Sequence, residues 1–306
     1  MEESKPIEEG NDAVDSVVEE GIVRLSHGRA LSFEDSYPIT AASRARLILL
    51  AGLPKSGKTT LIASLFHGFQ KGPFAGYAFS GSETLLGFDE RCHDARISSR
   101  RSIATTERTK TGTTDLLLHL KVTGVSDGQT TDILFVDMSG EHHDAIRDSV
   151  EECRNLAGLR RADHFVLLLD GEKLADTSQR QKAKTDAFVL LRSCLDSDEL
   201  RSSSLVDIVI TKWDLALGSG GTDEVETFAK EIEAEGSTRF SNRCARLRFM
   251  RIAARPTSEA LPFGWGLVDL FAGWVRDIPE AFHSPAAVTV GLTSTEFDRF
   301  RIAIST

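Results

Sequence analysis

The chain has 306 residues, 41% of them hydrophobic, and a formal net charge of −10. This composition is typical of globular proteins and excludes a mainly disordered or fibrous chain. Nothing in it indicates the clustered excess of basic residues that nucleic-acid binding requires. The four cysteines stand far apart without a CxxC pair, and the longest apolar run, residues 47–54, is too short to cross a bilayer. We therefore expect a cytoplasmic protein with reduced thiols, no nucleic-acid partner and no direct membrane insertion.

The first 44 residues divide into two segments. Residues 1–20 contain eight acids and one base, which predicts a solvated, disordered tail. The alternative is an acidic arm that docks on a basic partner. Residues 21–44 alternate loosely between apolar and polar types and predict an N-terminal extension with a short hairpin or one added strand.

From residue 45 to residue 278, apolar runs alternate with amphipathic helical patterns. Strands are predicted over 47–51, 116–122, 133–136, 165–169, 206–210 and 247–253, and helices over 59–69, 144–159, 176–195, 223–235 and 266–278. This alternation predicts an α/β domain with a mostly parallel central sheet and helices on both faces. The connection between the strands at 116–122 and 133–136 is too short for a crossover helix, so we expect that pair to be antiparallel.

Two segments stand outside this alternation. Residues 70–112 form a long stretch rich in Gly, Phe and Ser, and a structureless loop of that length is rare unless it is functional. We therefore expect an insertion there that precedes a switch segment. Residues 279–306 follow Pro279 and predict a C-terminal extension.

The first strand runs directly into GLPKSGKT at residues 52–59, which fits the pattern GxxxxGK[ST] between a strand and a helix. Glycines let the backbone wrap a phosphate, and the loop amides with the helix N-terminus supply donors. Lys58 would neutralise the β- and γ-phosphates, and the Thr59 hydroxyl would bind Mg²⁺. The residues assigned to phosphate binding are Gly52, Lys55, Ser56, Gly57, Lys58, Thr59 and Thr60. This motif alone does not distinguish ATP from GTP.

A second motif, DMSGE at residues 137–141, follows the strand at 133–136. An acid at the tip of a buried strand can hold the water shell of Mg²⁺, and the amide of Gly140 can approach a γ-phosphate. Downstream of a phosphate loop, the pattern indicates a metal role for Asp137. The alternative is an acidic turn at a strand end with no metal role.

A third motif, TKWD at residues 211–214, follows the strand at 206–210. Asp214 can accept from both N1–H and the exocyclic amine of guanine, whereas adenine offers neither pattern, so the motif predicts GTP over ATP. Thr211 belongs to this motif, and the stem of Lys212 would pack on the purine. Asp170, at the tip of another strand, is expected to be structural or to lie near the base.

A weaker element, IAAR at residues 252–255, ends the next strand. Ala253 and Ala254 stand where a small-Ala-basic turn would lie, and the amide of Ala254 could donate to guanine O6. The alternative is a plain strand end.

These motifs, in this order over residues 45–278, resemble the translation-factor-class (Ras/G-protein-like) P-loop GTPases. In addition, AFSGSETLLGF at residues 78–88 is similar to the bacterial double-GTPase 2 family, whose members are thought to pair with a second GTPase in regulated or defence-type gene clusters. The resemblance implies a P-loop GTPase domain that binds GTP/GDP and Mg²⁺. It also implies a protein effector or second GTPase as partner, with a nucleotide-dependent dimer as one arrangement.

Hydrolysis would depend on two switch segments, near residues 100–114 and 138–150. RTKTG at residues 108–112 is similar to the R-x-K-T-T-G switch of heterotrimeric G-protein α subunits, with one threonine fewer. By that resemblance Thr111 would bind Mg²⁺ and Arg108 would be a built-in arginine finger. The alternative is that Arg108 is a solvated base and that another threonine serves the metal: Thr105, Thr106, Thr109 or Thr113.

Glu141 stands where many GTPases have Gln or His. A glutamate can orient water, but its charge would face the γ-phosphate, so we expect slow hydrolysis without a partner. The expected catalytic residues are Lys58, Arg108 and Glu141. The sequence thus favours a GTP-hydrolysing molecular switch. The alternatives are a GTP-dependent interaction module that does not hydrolyse (a pseudo-GTPase) and, less favoured, an ATPase or kinase.

Overall fold

The computed structural model of the chain describes residues 28–100, 116–137, 146, 149–154, 156, 158–218, 222–257 and 261–277, without the side chains of 94–100 and 137. The strands in these residues are β1 (Arg46–Ala51), β2 (Tyr77–Gly81), β3 (Leu116–Gly124), β4 (Thr130–Asp137), β5 (His164–Asp170), β6 (Leu205–Thr211) and β7 (Arg246–Arg251). They form one sheet in the order β2-β3-β4-β1-β5-β6-β7. β3 runs antiparallel to both of its neighbours, and the other adjacent strands are parallel. The predicted α/β sheet with one antiparallel strand is therefore confirmed.

Helices cover both faces of the sheet. Those in the described residues are α1 (Tyr37–Ala42), α2 (Lys58–Lys71), α3 (Leu85–Arg100), α4 (Val150–Arg154), α5 (Gly171–Ala175), α6 (Arg180–Asp196), α7 (Trp213–Gly218), α8 (Thr222–Phe240) and α9 (Leu267–Arg276). Ile48 and Leu50 of β1 belong to the hydrophobic cluster that contains α2, α3 and α9, whereas Leu47 and Leu49 belong to the cluster that contains α6 and α8. Burial on both faces explains why the strand is a continuous apolar run. No helix among the described residues is long and apolar enough to span a bilayer.

The stretch at 70–112 contains two elements that the sequence pattern did not predict. β2 is an edge strand that pairs with the far end of β3, from Tyr77 opposite Gly124 to Gly81 opposite Lys121. α3 follows, and its Phe88 stacks on Phe66 of α2 with ring centroids 4.9 Å apart. The short helices α5 and α7 were also not predicted.

Residues 28–33, here called the N-terminal strap, cross the edge of β3 where β2 does not reach. Leu31 and Leu117 exchange two backbone hydrogen bonds, of 2.9 and 2.8 Å. A Cβ added to Gly87 of α3 would lie only 1.7 Å from the carbonyl oxygen of Arg29. Within residues 28–44 the N-terminal extension adds a single bridge to the sheet, followed by α1. Residues 21–27 of the predicted extension lie outside the described residues.

Candidate nucleotide-binding site

Every functional motif in the described residues lies at one edge of the sheet. Parallel strands bring their carboxyl ends to the same edge, and the loops that follow them form the crevice in which α/β proteins bind ligands. Leu50 of β1 is in register with Asp137 of β4, and Asp170 of β5 is in register with Thr211 of β6. The phosphate loop, Asp137 and TKWD are therefore neighbours, although they are far apart in the sequence.

The phosphate loop holds three residues in the left-handed backbone region: Gly52 at φ 152°, Lys55 at φ 68° and Gly57 at φ 93°. Such turns point successive backbone N–H groups into one concavity. A Cβ on Gly52 would lie 2.7 Å from the carbonyl oxygen of Leu168 and 2.7 Å from Oγ of Ser56, so only glycine fits there. Lys55 adopts this conformation despite its side chain, and strained backbone of this kind is concentrated at functional loops.

The donors of this loop are arranged as a phosphate requires. Nζ of Lys58, which begins α2, donates to the carbonyl oxygen of Gly52 at 2.5 Å, so its ammonium is held inside its own loop. The amides of Lys55 and Gly57 and the hydroxyl of Thr59 have no hydrogen-bond partner among the described residues. These groups fit a bound triphosphate with Mg²⁺, because they offer amide donors, one buried cation and one hydroxyl oxygen.

Two further residues of the phosphate-binding prediction lie in the same loop. Oγ of Ser56 is buried without a partner among the described residues. Thr60 lies in the first turn of α2, where backbone N–H groups have no partner within the helix. The structure thus brings all the predicted phosphate-binding residues of 52–60 into one loop and helix start.

Thr211 joins this loop to the sheet. Its Oγ1 lies 2.8 Å from the carbonyl oxygen of Ser56 and 3.0 Å from that of Leu169, and the side chain is buried. The hydroxyl can donate to either carbonyl. Thr211, the first residue of TKWD and the last of β6, therefore links the phosphate loop to β5 and β6.

Lys212 is held by two carboxylates. Its backbone is left-handed (φ 50°), and Nζ donates to Oδ2 of Asp170 at 2.8 Å and to Oε2 of Glu172 at 3.1 Å. Burial disfavours the charged form of Lys212, but the hydrogen bonds and negative charges of the two acids outweigh it, so the pKa of Lys212 is raised. Asp170 also accepts from the amide of Glu172 at the start of α5. Asp170 therefore lies beside TKWD, the turn predicted to bind the base.

Asp214 is 7% exposed and faces the loop that follows β7. Its Oδ2 accepts from the amide of Thr257 at 2.8 Å and from Oγ1 of Thr257 at 3.1 Å. Thr257 was not among the predicted site residues, because it stands beyond the predicted small-Ala-basic turn. Ala253 and Ala254 of that turn are buried, and the amide of Ala254 has no partner among the described residues, so it is available to a ligand.

The remaining predicted site residues fall outside the described part of the chain. They are Arg108, Thr111, Gly140 and Glu141. The backbone of Asp137 is described, in register with Leu50 on one side and Leu116 on the other, but its side chain is not. The roles of these five residues stay predictions.

Comparisons with known proteins identify a matching family and several similar solved structures. The sequence model of a family described as Double-GTPase 2 matches residues 46–275. Among solved structures, the chain is similar to the signal recognition particle receptor SRb-GTP/SRX complex from Chaetomium thermophilum, with 17% identity over 71% of this chain and 94% of that one and a TM-score of 0.40. It is also similar to the S. cerevisiae Ski7 GTPase-like domain bound to GDP and inorganic phosphate, with 15% identity over 78% of this chain and a TM-score of 0.42. The match spans 51% of that Ski7 chain. No curated protein matches the sequence significantly.

Proposed function

The chain belongs to the double-GTPase 2 family, and we propose on that premise that it is a molecular switch that binds GTP, hydrolyses it and acts on a protein partner. One observation carries the proposal. The hydroxyl of Thr211 lies 2.8 Å from the carbonyl oxygen of Ser56, so the turn that would recognise a base and the loop that would hold phosphates are in direct contact. Two such sites in contact fit the two ends of one nucleotide.

At the phosphate end, Lys58 neutralises the β- and γ-phosphates, and the unpaired amides of the loop donate to phosphate oxygens. Thr59, Asp137 and Thr111 are the residues proposed to hold Mg²⁺. When bound, Mg²⁺ would reduce the negative charge on the phosphates.

At the base end, Asp214 accepts from the N1–H and the exocyclic amine of guanine, and the amide of Ala254 donates to O6. The stem of Lys212, fixed by its two carboxylates, packs on the purine. Adenine presents an acceptor at N1 and has no amine at C2, so it would leave the buried Asp214 without a ligand donor. The site is therefore proposed to select GTP over ATP.

Hydrolysis is assigned to Arg108 and Glu141. Arg108 would stabilise the negative charge that develops on the phosphates in the transition state. In GTPases an arginine in this role increases kcat by a factor of about 10³–10⁵. Glu141 would orient the attacking water, but its negative charge would face the γ-phosphate and slow the attack. We accordingly propose a GTPase that is slow on its own and faster with a partner.

The partner is proposed to be a protein effector or a second GTPase, with a nucleotide-dependent dimer as one form. GTP would order the segments near 100–114 and 138–150, and loss of the γ-phosphate would release them. The proposed setting is the bacterial cytoplasm, in a two-GTPase system of the regulated or conflict type. Gel filtration of the protein loaded with GDP or with a non-hydrolysable GTP analogue tests for the dimer.

The deciding experiment is single-turnover hydrolysis of GTP with Mg²⁺, with ATP in parallel. GTP turnover at about 10⁻² per second or faster, with ATP untouched, supports a self-sufficient switch with its own arginine. Unchanged GTP turnover in an Arg108→Ala variant would rule out Arg108 as a built-in arginine finger. Tight GTP binding without turnover would instead identify a GTP-dependent interaction module, and hydrolysis of ATP would identify an ATPase.

Binding measurements on matched variants test the site itself. We expect Lys58→Ala to weaken both GTP and GDP, and Asp214→Ala to remove the preference for guanine over adenine nucleotides. The controls are Lys230→Ala and Asp223→Ala, which change exposed residues of α8. Unchanged GTP affinity in Asp214→Ala would overturn the base assignment.

A further inference from the structure

We propose that Thr257 is a positioning residue for base selection, which orients Asp214 so that one carboxylate oxygen faces the nucleotide base. The proposal rests on the proposed binding of GTP. It identifies Thr257 as a residue that increases the selectivity for guanine over other bases. Thr257 lies 43 positions after Asp214 and belongs to none of the sequence motifs described above.

The two hydrogen bonds from Thr257 fall on the same carboxylate oxygen. Its amide and its hydroxyl donate to Oδ2 of Asp214 at 2.8 and 3.1 Å, and Oδ1 has no partner among the described residues. A carboxylate oxygen has about two acceptor directions, so two donors from one residue occupy Oδ2. This arrangement restricts rotation of the carboxylate and leaves Oδ1 open to N–H groups of a ligand.

The burial of Asp214 increases the contribution that these two hydrogen bonds make to its stability in the site. Asp214 is 7% exposed, and a buried carboxylate is costly unless hydrogen bonds or charges compensate. The described part of the chain offers Asp214 no lysine or arginine partner. Thr257 therefore supplies the donors that keep this acceptor in place before a base arrives.

Backbone hydrogen bonds hold the residues that lead into Thr257. The amide of Ala253 donates to the carbonyl oxygen of Trp265 at 3.0 Å, and the amide of Trp213 donates to that of Ile252 at 3.0 Å. The first bond joins the segment after β7 to the residues before α9, and the second joins that segment to α7, which contains Asp214. The turn itself contains Ala253 and Ala254, which carry no hydroxyl, so the hydroxyl donor comes from Thr257 farther along the loop.

The test is a comparison of GTP with ITP, which lacks the exocyclic amine of guanine. In the wild-type protein GTP should bind more tightly than ITP, because only GTP offers Asp214 a second donor. Thr257→Val removes the hydroxyl and keeps the amide and the shape. We expect it to lower GTP affinity by about tenfold, the effect of one hydrogen bond to a charged group, and to lower ITP affinity less. Thr257→Ser should restore the wild-type ratio.

Controls separate positioning from structure. Thr238→Val on α8 removes another hydroxyl, which is exposed and bonded to the backbone of Ala234, and it should leave both affinities unchanged. Thermal melting shows whether each variant is folded, and Thr257→Ala replaces the valine variant if that protein does not fold. A folded Thr257→Val or Thr257→Ala protein with the wild-type GTP-to-ITP ratio would overturn the role of Thr257 alone. Failure of the wild-type protein to bind GTP would overturn the proposed function as well.

Discussion

Nε1 of Trp274 donates a 2.9 Å hydrogen bond to Oδ2 of Asp207. Asp207 lies fully buried on β6, where Arg248 of β7 donates to both of its carboxylate oxygens, at 2.8 and 3.0 Å. Three elements, α9, β6 and β7, are therefore joined by one buried charge. A buried carboxylate with a bidentate arginine and an indole donor has its acceptors satisfied, so the network fixes the position of α9 against the sheet.

Removal of one charge from this network should be strongly destabilising. Arg248→Met would leave the buried Asp207 carboxylate with the indole of Trp274 as its hydrogen-bond donor and with Arg246, 3.8 Å away, as its remaining cation. Loss of one partner of a buried ion pair typically costs about 3–5 kcal/mol. Urea unfolding followed by circular dichroism measures the change. The double variant Asp207→Leu with Arg248→Met should recover part of that loss, because the buried carboxylate is gone, whereas Nε1 of the buried Trp274 then lacks its acceptor. A loss below about 1 kcal/mol in the single variant would contradict this account.

His164 should make the stability of the protein depend on pH. Its side chain is buried, Nε2 donates to the carbonyl oxygen of Asp277 at 3.1 Å, and Nδ1 has no partner among the described residues. Burial lowers the pKa of His164, and the charge of Arg246 lowers it further, against the opposing effects of Asp207, Asp163 and the bond to Asp277. The unfolded chain therefore takes up a proton first as the pH falls below about 6.5. Folding stability is thus complete above that value and falls toward the lower folded-state pKa.

His164→Gln isolates this titration. Glutamine can still donate to Asp277 but does not ionise, so the loss of stability between pH 7.5 and pH 5.5 should be smaller in the variant. One proton contributes at most about 1.4 kcal/mol per pH unit, and the difference between the two proteins should stay below that slope. Urea midpoints at both pH values provide the measurement, and equal pH dependence in the two proteins would refute the assignment.

Gly87→Ala should displace the N-terminal strap. Alanine normally stabilises a helix interior by about 1 kcal/mol over glycine, but here its Cβ would lie 1.7 Å from the carbonyl oxygen of Arg29. Backbone must move, and overpacking of this kind costs about 1–3 kcal/mol. We expect net destabilisation in thermal or urea unfolding.

Gly218→Ala is the matched control for that change. Gly218 ends the short helix α7, and an added Cβ meets nothing within 4 Å in the described part of the chain. Its stability should stay within about 0.5 kcal/mol of wild type. Equal free energies of unfolding for the two alanine variants would show that the N-terminal strap can move without loss of stability.

The sequence predicted the parts of the fold that are local. Residues 47–51 and 206–210 are continuous apolar runs because both faces of their strands are buried. The antiparallel direction of β3 followed from a connection too short for a helix. By contrast, β2 is a half-buried edge strand, and its pairing with β3 depends on contacts far along the chain, which periodicity does not report.

In the candidate site, too, the local features were predictable from the sequence and the long-range contacts were not. The phosphate loop and TKWD are short motifs, so their residue types and spacing were sufficient to predict them. The partners that hold their side chains were not predictable, because Asp170 lies 42 positions from Lys212 and Thr257 lies 43 positions from Asp214. Only the shared edge of the sheet brings these pairs together.

Asp214→Asn should change which base the protein selects. The two donors of Thr257 would hold the asparagine oxygen at the position of Oδ2, so its NH₂ group would face the base. There the NH₂ donor opposes the exocyclic amine of guanine and complements the C2 carbonyl of xanthine. Loss of a buried, charge-assisted bond and the new donor–donor conflict should weaken GTP by about 10- to 100-fold, while XTP affinity rises. Competition binding with GTP, XTP and ATP measures the change, and Asp223→Asn on exposed α8 serves as the control. A variant that still prefers GTP to XTP would show that this carboxylate does not contact the base.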